Sequence, residues 1–290
     1  MQLARQRLTA LQQELAGIQE TGKEMGELTS QLDALQENLD TVKKPFTDLK
    51  NMGVKRNALL FERPPNSVID EEHLDSLCTQ IRHIHRHVSM KPSSGARMIL
   101  DAILLAVAQI CVDGGAQLPV AILPELRVTP NDGVLIENPA TKHQVWLTGN
   151  TDYGMCVYKN KEHRSGLFHE GSISQVMAYV KSYVIIVEAK WHDGDESIED
   201  RLPEATGQAV ALAEVTNKPV RYCLSNGTTW IFSLFTKDAN GKRVACVGTR
   251  VNIRVDNIDD AEDLFKRDVR RVVELLHHWD LSSLSLPSIL

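Results

Sequence analysis

The sequence lacks the devices that hold small secreted proteins together. Its five cysteines, Cys78, Cys111, Cys156, Cys223 and Cys246, stand singly. An odd count without a CxxC pair argues against a disulfide framework and a zinc ribbon. Most of them lie among apolar neighbours and read as reduced core residues. No apolar run approaches the ~20 residues that a bilayer span needs, and Met1 to Glu20 contains no signal-peptide h-region. The expectation is a soluble intracellular protein, cytoplasmic or nuclear, with no membrane partner. Phosphate loops of the GxxxxGK[ST] type, HExxH and GxSxG are all missing, so none of those chemistries has its signature here. Positive charge is not in excess either, since the formal net charge is −6. That disfavours non-specific binding of nucleic acid through overall charge, but it leaves room for a local basic groove. Arg82, Arg86, Lys91 and Arg97 form one basic cluster, and Lys266, Arg267, Arg270 and Arg271 another. Both read as solvated helix faces.

What the chain does have is pattern. A length of 290 residues suits a core of about 200 residues with an appendage. The appendage is residues 1–50. Leu8, Leu11, Leu15 and Ile18 follow 3-4-3 spacing, and Met25, Leu28, Leu32, Leu35, Leu39, Val42, Phe46 and Leu49 continue in threes and fours. This is a coiled-coil seam, interrupted near Gly22 and Gly26. A seam needs a partner, so a homo-oligomer is expected. Residues 51–92 read as a linker followed by a helix capped at Asp70. His83, His85 and His87 on that helix are spaced by two, which does not put them on one face, and no metal site is expected there.

Residues 93–290 read as one α/β domain, a mixed central sheet flanked by helices. An apolar helix covers Met98 to Val112. Short strands follow at Val134–Ile136 and Gln144–Thr148. Gly149-Asn150 then reads as a turn, with Asp152–Tyr158 as its return strand. Residues 159–171 read as loop. Tyr183 to Val187 is apolar on both faces, the mark of a central strand, and it ends in Glu188-Ala189-Lys190. Pro203 opens a helix. Val220–Leu224 and Thr229–Phe235 form a hairpin across Asn226-Gly227. Ala261 to Trp279 is an amphipathic helix.

Chemistry concentrates at Glu188 and Lys190. Alternation along a strand puts both on one face, where the apolar run stops and a charge must be paired, solvated or metal-bound. Asp152 begins a preceding strand and brings a second carboxylate. Two oxygen ligands suit Mg²⁺ or Mn²⁺. Gln208 is a polar residue in an otherwise apolar helix and needs a partner.

These residues carry a resemblance. Thr151-Asp152-Tyr153, Val187-Glu188-Ala189-Lys190, the Gln208 helix and the Asn226-Gly227-Thr228-Thr229-Trp230 hairpin resemble the PD-(D/E)xK nuclease superfamily. In particular they are similar to the restriction-endonuclease-like domains of fungal Crinkler-type effectors and spore-killing proteins. The resemblance spans roughly residues 95–280. It implies Asp152 and Glu188 as metal ligands, Lys190 as the catalytic lysine and Gln208 as an auxiliary residue. It also implies a further acidic residue from the first core helix or the strand after it, for which Asp101 and Glu125 are the candidates. The tyrosine one turn after the helix glutamine, present in some relatives, is replaced by Leu212. The implied function is Mg²⁺- or Mn²⁺-dependent hydrolysis of phosphodiester bonds, of DNA rather than RNA, in a toxin or effector. The alternative is a coiled-coil interaction protein with a catalytically silent nuclease-like domain.

Overall fold

In the computed structural model the chain divides into two compact units, Met1–Thr47 and Asp48–Leu290. The structure describes residues 49–59, 69–90, 93–113, 119–130, 132–160, 162–169, 173–188, 198–255, 258 and 261–281. The expected seam at residues 1–50 lies almost wholly outside them. The second unit is mixed α/β.

Among the described residues its nine strands are β1 (Lys55–Ala58), β2 (Val120–Pro124), β3 (Val134–Glu137), β4 (Gln144–Leu147), β5 (Tyr153–Tyr158), β6 (Val180–Glu188), β7 (Val220–Ser225), β8 (Thr229–Lys237) and β9 (Arg243–Asn252). Its helices are α1 (Glu71–His87), α2 (Ser93–Asp113), α3 (His163–His169), α4 (Ile173–Tyr179), α5 (Leu202–Thr216) and α6 (Glu262–Leu281). Seven strands form one sheet in the order β1-β9-β8-β7-β6-β5-β2, while β3 and β4 pair with each other. β2, β5 and β6 run antiparallel in turn, and β7 lies parallel to β6. A parallel neighbour requires a crossover, and α5 supplies it.

Each element follows from its residues. Asp70 caps α1 by accepting the His73 backbone N–H at 2.9 Å, which satisfies one of the unpaired donors of the first turn. Leu74, Leu77, Cys78, Ile81 and Ile84 then make its buried face. All six residues of β5 are buried, as expected of an interior strand. Adjacent residues in β7 separate the two faces of the sheet. Cys223 joins the core formed with α1, α2 and α6. Tyr222 instead meets α5, where its hydroxyl lies 2.8 Å from Thr206 Oγ1. From Ala205 to Ala213 every residue of α5 is buried, including Ala205, Gly207, Ala209, Ala211 and Ala213, whose small side chains let the helix lie close to the sheet.

Four expectations need correction. Residues 51–66 are not simply linker, because Lys55–Ala58 forms β1 and pairs parallel with β9. This is a mostly exposed edge strand, so it carries no apolar alternation to betray it. Gly149-Asn150 is not a hairpin turn, since β4 returns on β3 while β5 joins the main sheet. The turn lies at Asn138 instead, whose Oδ1 accepts from the Ala140 and Thr141 backbone N–H groups. Residues 163–169, read as loop, form α3. Finally, Gly95–Asp113 is long and apolar enough to cross a membrane by length and composition. Its Ile99, Leu100, Ile103, Leu104 and Val107 are fully buried in the protein core.

The five cysteines are free and buried. Burial pushes the Cys78 thiol up to about 11 and Cys223 well above the usual thiol range, and a buried neutral thiol is inert. We expect none of the five to react with a thiol-specific dye at pH 8 in the native protein, and all five to react in denaturant. Rapid native labelling would contradict this packing.

Candidate functional site

Asp152 stands one residue before β5, and its place is set by the β2–β5 pairing. That ladder continues past Pro124–Tyr153 through the Glu125 N–H donating to the Asp152 carbonyl at 2.8 Å and the Thr151 N–H donating to the Leu126 carbonyl at 2.8 Å. Glu125 is therefore the cross-strand neighbour of Asp152. It adopts φ of 52°, a left-handed conformation that costs a non-glycine residue roughly 1–2 kcal/mol.

Two neighbouring carboxylates repel unless a cation lies between them. Arg97, in the second turn of α2, is that cation. Its Nη2 donates to Asp152 Oδ1 at 2.8 Å, and its Nη1 donates to Glu125 Oε1 at 3.1 Å. The Asp152 side chain is 20% exposed and that of Glu125 59%, so Asp152 is the fixed member and Glu125 the one with room to move. The register of β5 and β6 brings the next carboxylate close in the backbone. Tyr153 pairs with Ile186, so the continued register sets Asp152 opposite Val187, with Glu188 one residue further along at the same end of the neighbouring strand. Glu188, the last residue of β6, is paired with Ser225 of β7.

The N-terminal end of α2 is held at this place by the β7–β8 turn. The Gly227 N–H donates to Ser225 Oγ at 3.0 Å. Gly227 has φ of 90°, and a Cβ on it would sit 2.9 Å from the Ala96 carbonyl oxygen and 3.3 Å from Ile99 Cβ. Glycine is needed here for both reasons. Asn226 Oδ1 accepts from the Thr228 and Thr229 N–H groups, which shapes the turn. We expect Gly227→Ala to cost about 1–3 kcal/mol in a urea melt, because the new methyl pushes α2, and Arg97 with it, away from the sheet. An unchanged midpoint would show that the turn does not brace α2.

The other expected residues are placed as follows. Lys190 lies outside the described residues, as does the side chain of Glu188. Gln208 is buried on α5, and its Oε1 has no hydrogen-bond partner among the described residues. Leaving a buried amide oxygen unpaired costs about 1–3 kcal/mol. Of the two further acidic candidates, Glu125 is brought to Asp152. Asp101, exposed one turn along α2 from Arg97, makes no ion pair or hydrogen bond among the described residues. Among those residues no three His, Cys, Asp or Glu side chains gather in a metal-ligating group.

The chain matches no protein-family model, and no curated protein is similar enough to it to count as a match.

Sequence reasoning missed Arg97 as a site residue and read it as part of a solvated basic cluster. Its partners lie 28 and 55 residues away, so no local pattern announces the pairing. Position offered one signal, since Arg97 stands inside a helix that is otherwise strongly apolar. Chemically, the site is a set of hard oxygen donors with a guanidinium among them. Such donors suit Mg²⁺ or Mn²⁺, and Arg97 already answers their charge.

Proposed function

We propose that the chain is a metal-dependent nuclease of the PD-(D/E)xK type, cleaving phosphodiester bonds of DNA in preference to RNA. One observation carries this reading. The succession α2-β2-β5-β6-α5-β7, three antiparallel strands and then a parallel fourth, has Asp152 at the head of β5 and Glu188 at the tail of β6. This agrees with a restriction-endonuclease-like core, in which ligand sites sit at strand ends.

The donor set fits a hard divalent cation. Asp152 and Glu188 would hold it, and Glu125 is near enough to Asp152 to join them. A bound Mg²⁺ or Mn²⁺ would supply charge stabilisation and an acidified water. The chain's own groups do the remaining work. Arg97 orients Asp152 and offers a bidentate fork to a phosphate, and Lys190 positions the attacking water and neutralises developing charge. Gln208 carries an unpaired buried oxygen on α5, which suits a bound water. A cytoplasmic or nuclear toxin or effector is the setting that fits this activity.

The test is incubation of the full chain with plasmid, single-stranded DNA and RNA in Mg²⁺, Mn²⁺ or EDTA. The expected result is cleavage of DNA in either metal and none in EDTA. No cleavage of any substrate in either metal would count against the reading.

One feature favours a second reading, a coiled-coil interaction protein whose nuclease-like domain is silent. Arg97 already bridges Glu125 and Asp152, and a metal must compete with it. Both readings use the seam at residues 1–50, where burying one leucine contributes roughly 1.5–3 kcal/mol. We expect light scattering to give a larger assembly for the full chain than for a chain beginning at Asp48. That start keeps β1 in the sheet. Equal monomeric masses would remove the seam from the account.

A further inference from the structure

The segment between Glu125 and Asp152 is an arm that continues the β2–β5 ladder for a few residues and ends in the separate β3–β4 pair. Thr151 pairs with Leu126, Asn150 bridges to Arg127, and beyond them Leu147 to Gln144 pairs with Val134 to Glu137. Exposure alternates along the returning strand. Trp146, Thr148 and Asn150 are exposed, while Leu147 and Thr151 are buried. One face of the arm therefore leads from Trp146 through Asn150 and the exposed Arg127 to Asp152. Six extended residues span at most about 20 Å, a reach of a few nucleotides.

At the far end of this face Trp146 and Leu135 stand directly opposite each other across the strands. Each is 50% exposed. The opposite face of the arm is anchored, with Ile136 and Leu147 buried. The tip is held as well. Asn138 Nδ2 donates to the Lys50 and Asn51 carbonyls at 3.1 and 3.0 Å, and Arg243 Nη1 donates to the Glu137 carbonyl at 2.8 Å. An exposed tryptophan on a pinned strand is a preorganised flat surface, and little entropy is lost when something stacks on it.

We infer that this face is a track for single-stranded nucleic acid, with Trp146 and Leu135 stacking an unpaired base and Arg127 meeting the backbone on its way to the carboxylates. The inference rests on the nuclease reading and names its substrate class. Size decides against a protein partner. Two half-exposed side chains offer on the order of 200 Å², far below the roughly 800 Å² per partner of a stable protein interface. A base has that area. In a duplex the base faces are already stacked, so only an unpaired base presents one to Trp146.

The experiment uses the full chain in EDTA, which prevents cleavage, and fluorescence anisotropy with a labelled oligo-dT and the corresponding dA–dT duplex. Wild type is expected to bind the single strand more tightly than the duplex. Trp146→Ala is expected to weaken single-strand binding about 5- to 100-fold, and Trp146→Phe to keep most of it. Circular dichroism confirms that the exposed substitution leaves the fold intact. Three outcomes overturn the track: equal affinity for single strand and duplex, Trp146→Ala binding within about twofold of wild type, or a self-association seen by light scattering that Trp146→Ala dissolves. If wild type still cleaves DNA in Mn²⁺ under any of these, the track alone fails. If wild type neither binds nor cleaves nucleic acid, the nuclease reading fails with it.

Discussion

Lys190→Ala is expected to reduce cleavage about 10²- to 10³-fold while leaving the far-ultraviolet circular dichroism unchanged. The size is that of losing one preorganised electrostatic partner of a developing charge. The position explains the selectivity. Lys190 stands two residues beyond the last residue of β6, past the apolar run Tyr183–Val187, where its charge serves the reaction rather than the core. Asp152→Ala and Glu188→Ala are expected to lose activity by another route, weaker metal binding, which high Mn²⁺ partly restores. The lysine defect has no such rescue. Asp152→Ala carries a further cost, because Arg97 loses its 2.8 Å partner. The measurement is plasmid cleavage against metal concentration. A Lys190→Ala protein that cleaves like wild type, in a preparation free of contaminating nuclease, removes the lysine from the mechanism.

Trp230→Ala is expected to destabilise the protein by about 3–5 kcal/mol, a large share of the 5–15 kcal/mol by which a domain is ordinarily stable. Trp230 is fully buried. Its ring stacks on Phe232 with centroids 6.0 Å apart, and its Nε1 donates to the Gly227 carbonyl at 3.2 Å. Truncation leaves a cavity between the sheet and α1, α2 and α6, and it also frees the turn that braces α2. The urea midpoint should fall steeply, with cleavage at low temperature falling as well because Arg97 is no longer held. A shift below about 1 kcal/mol would mean that the site relaxes around the loss.

The two predictions differ in how far the sequence led to them. The Asn226-Gly227 hairpin was legible because turn chemistry is local, and β7 and β8 pair across it as expected. The Asp70 cap, the crossover helix opened by Pro203 and the amphipathic α6 were legible for the same reason. The apolar run Tyr183–Val187 marked the end of β6 at Glu188. Asp152 was legible as a charged residue at the head of a strand, although its strand was assigned the wrong neighbour. Gly149-Asn150 imitates a turn, and only the pairing of Arg127 with Asn150 shows that the chain runs on into a longer arm.

Local sequence determined most of the element types, the α/β class and the end of β6 at which charge appears, because periodicity, capping and turn residues act over a few positions. Tertiary structure alone decided the rest. It chose Glu125 over Asp101 as the neighbour of Asp152, because strand register and not helix position brings the two carboxylates together. It delivered Arg97 to both across 28 and 55 residues of sequence, and it turned Lys55–Ala58 into an edge strand that pairs only through its backbone. The reason is common to all three. Each depends on which strand lies beside which, a choice made by burial of the whole sheet between its helices and written in no single stretch of residues.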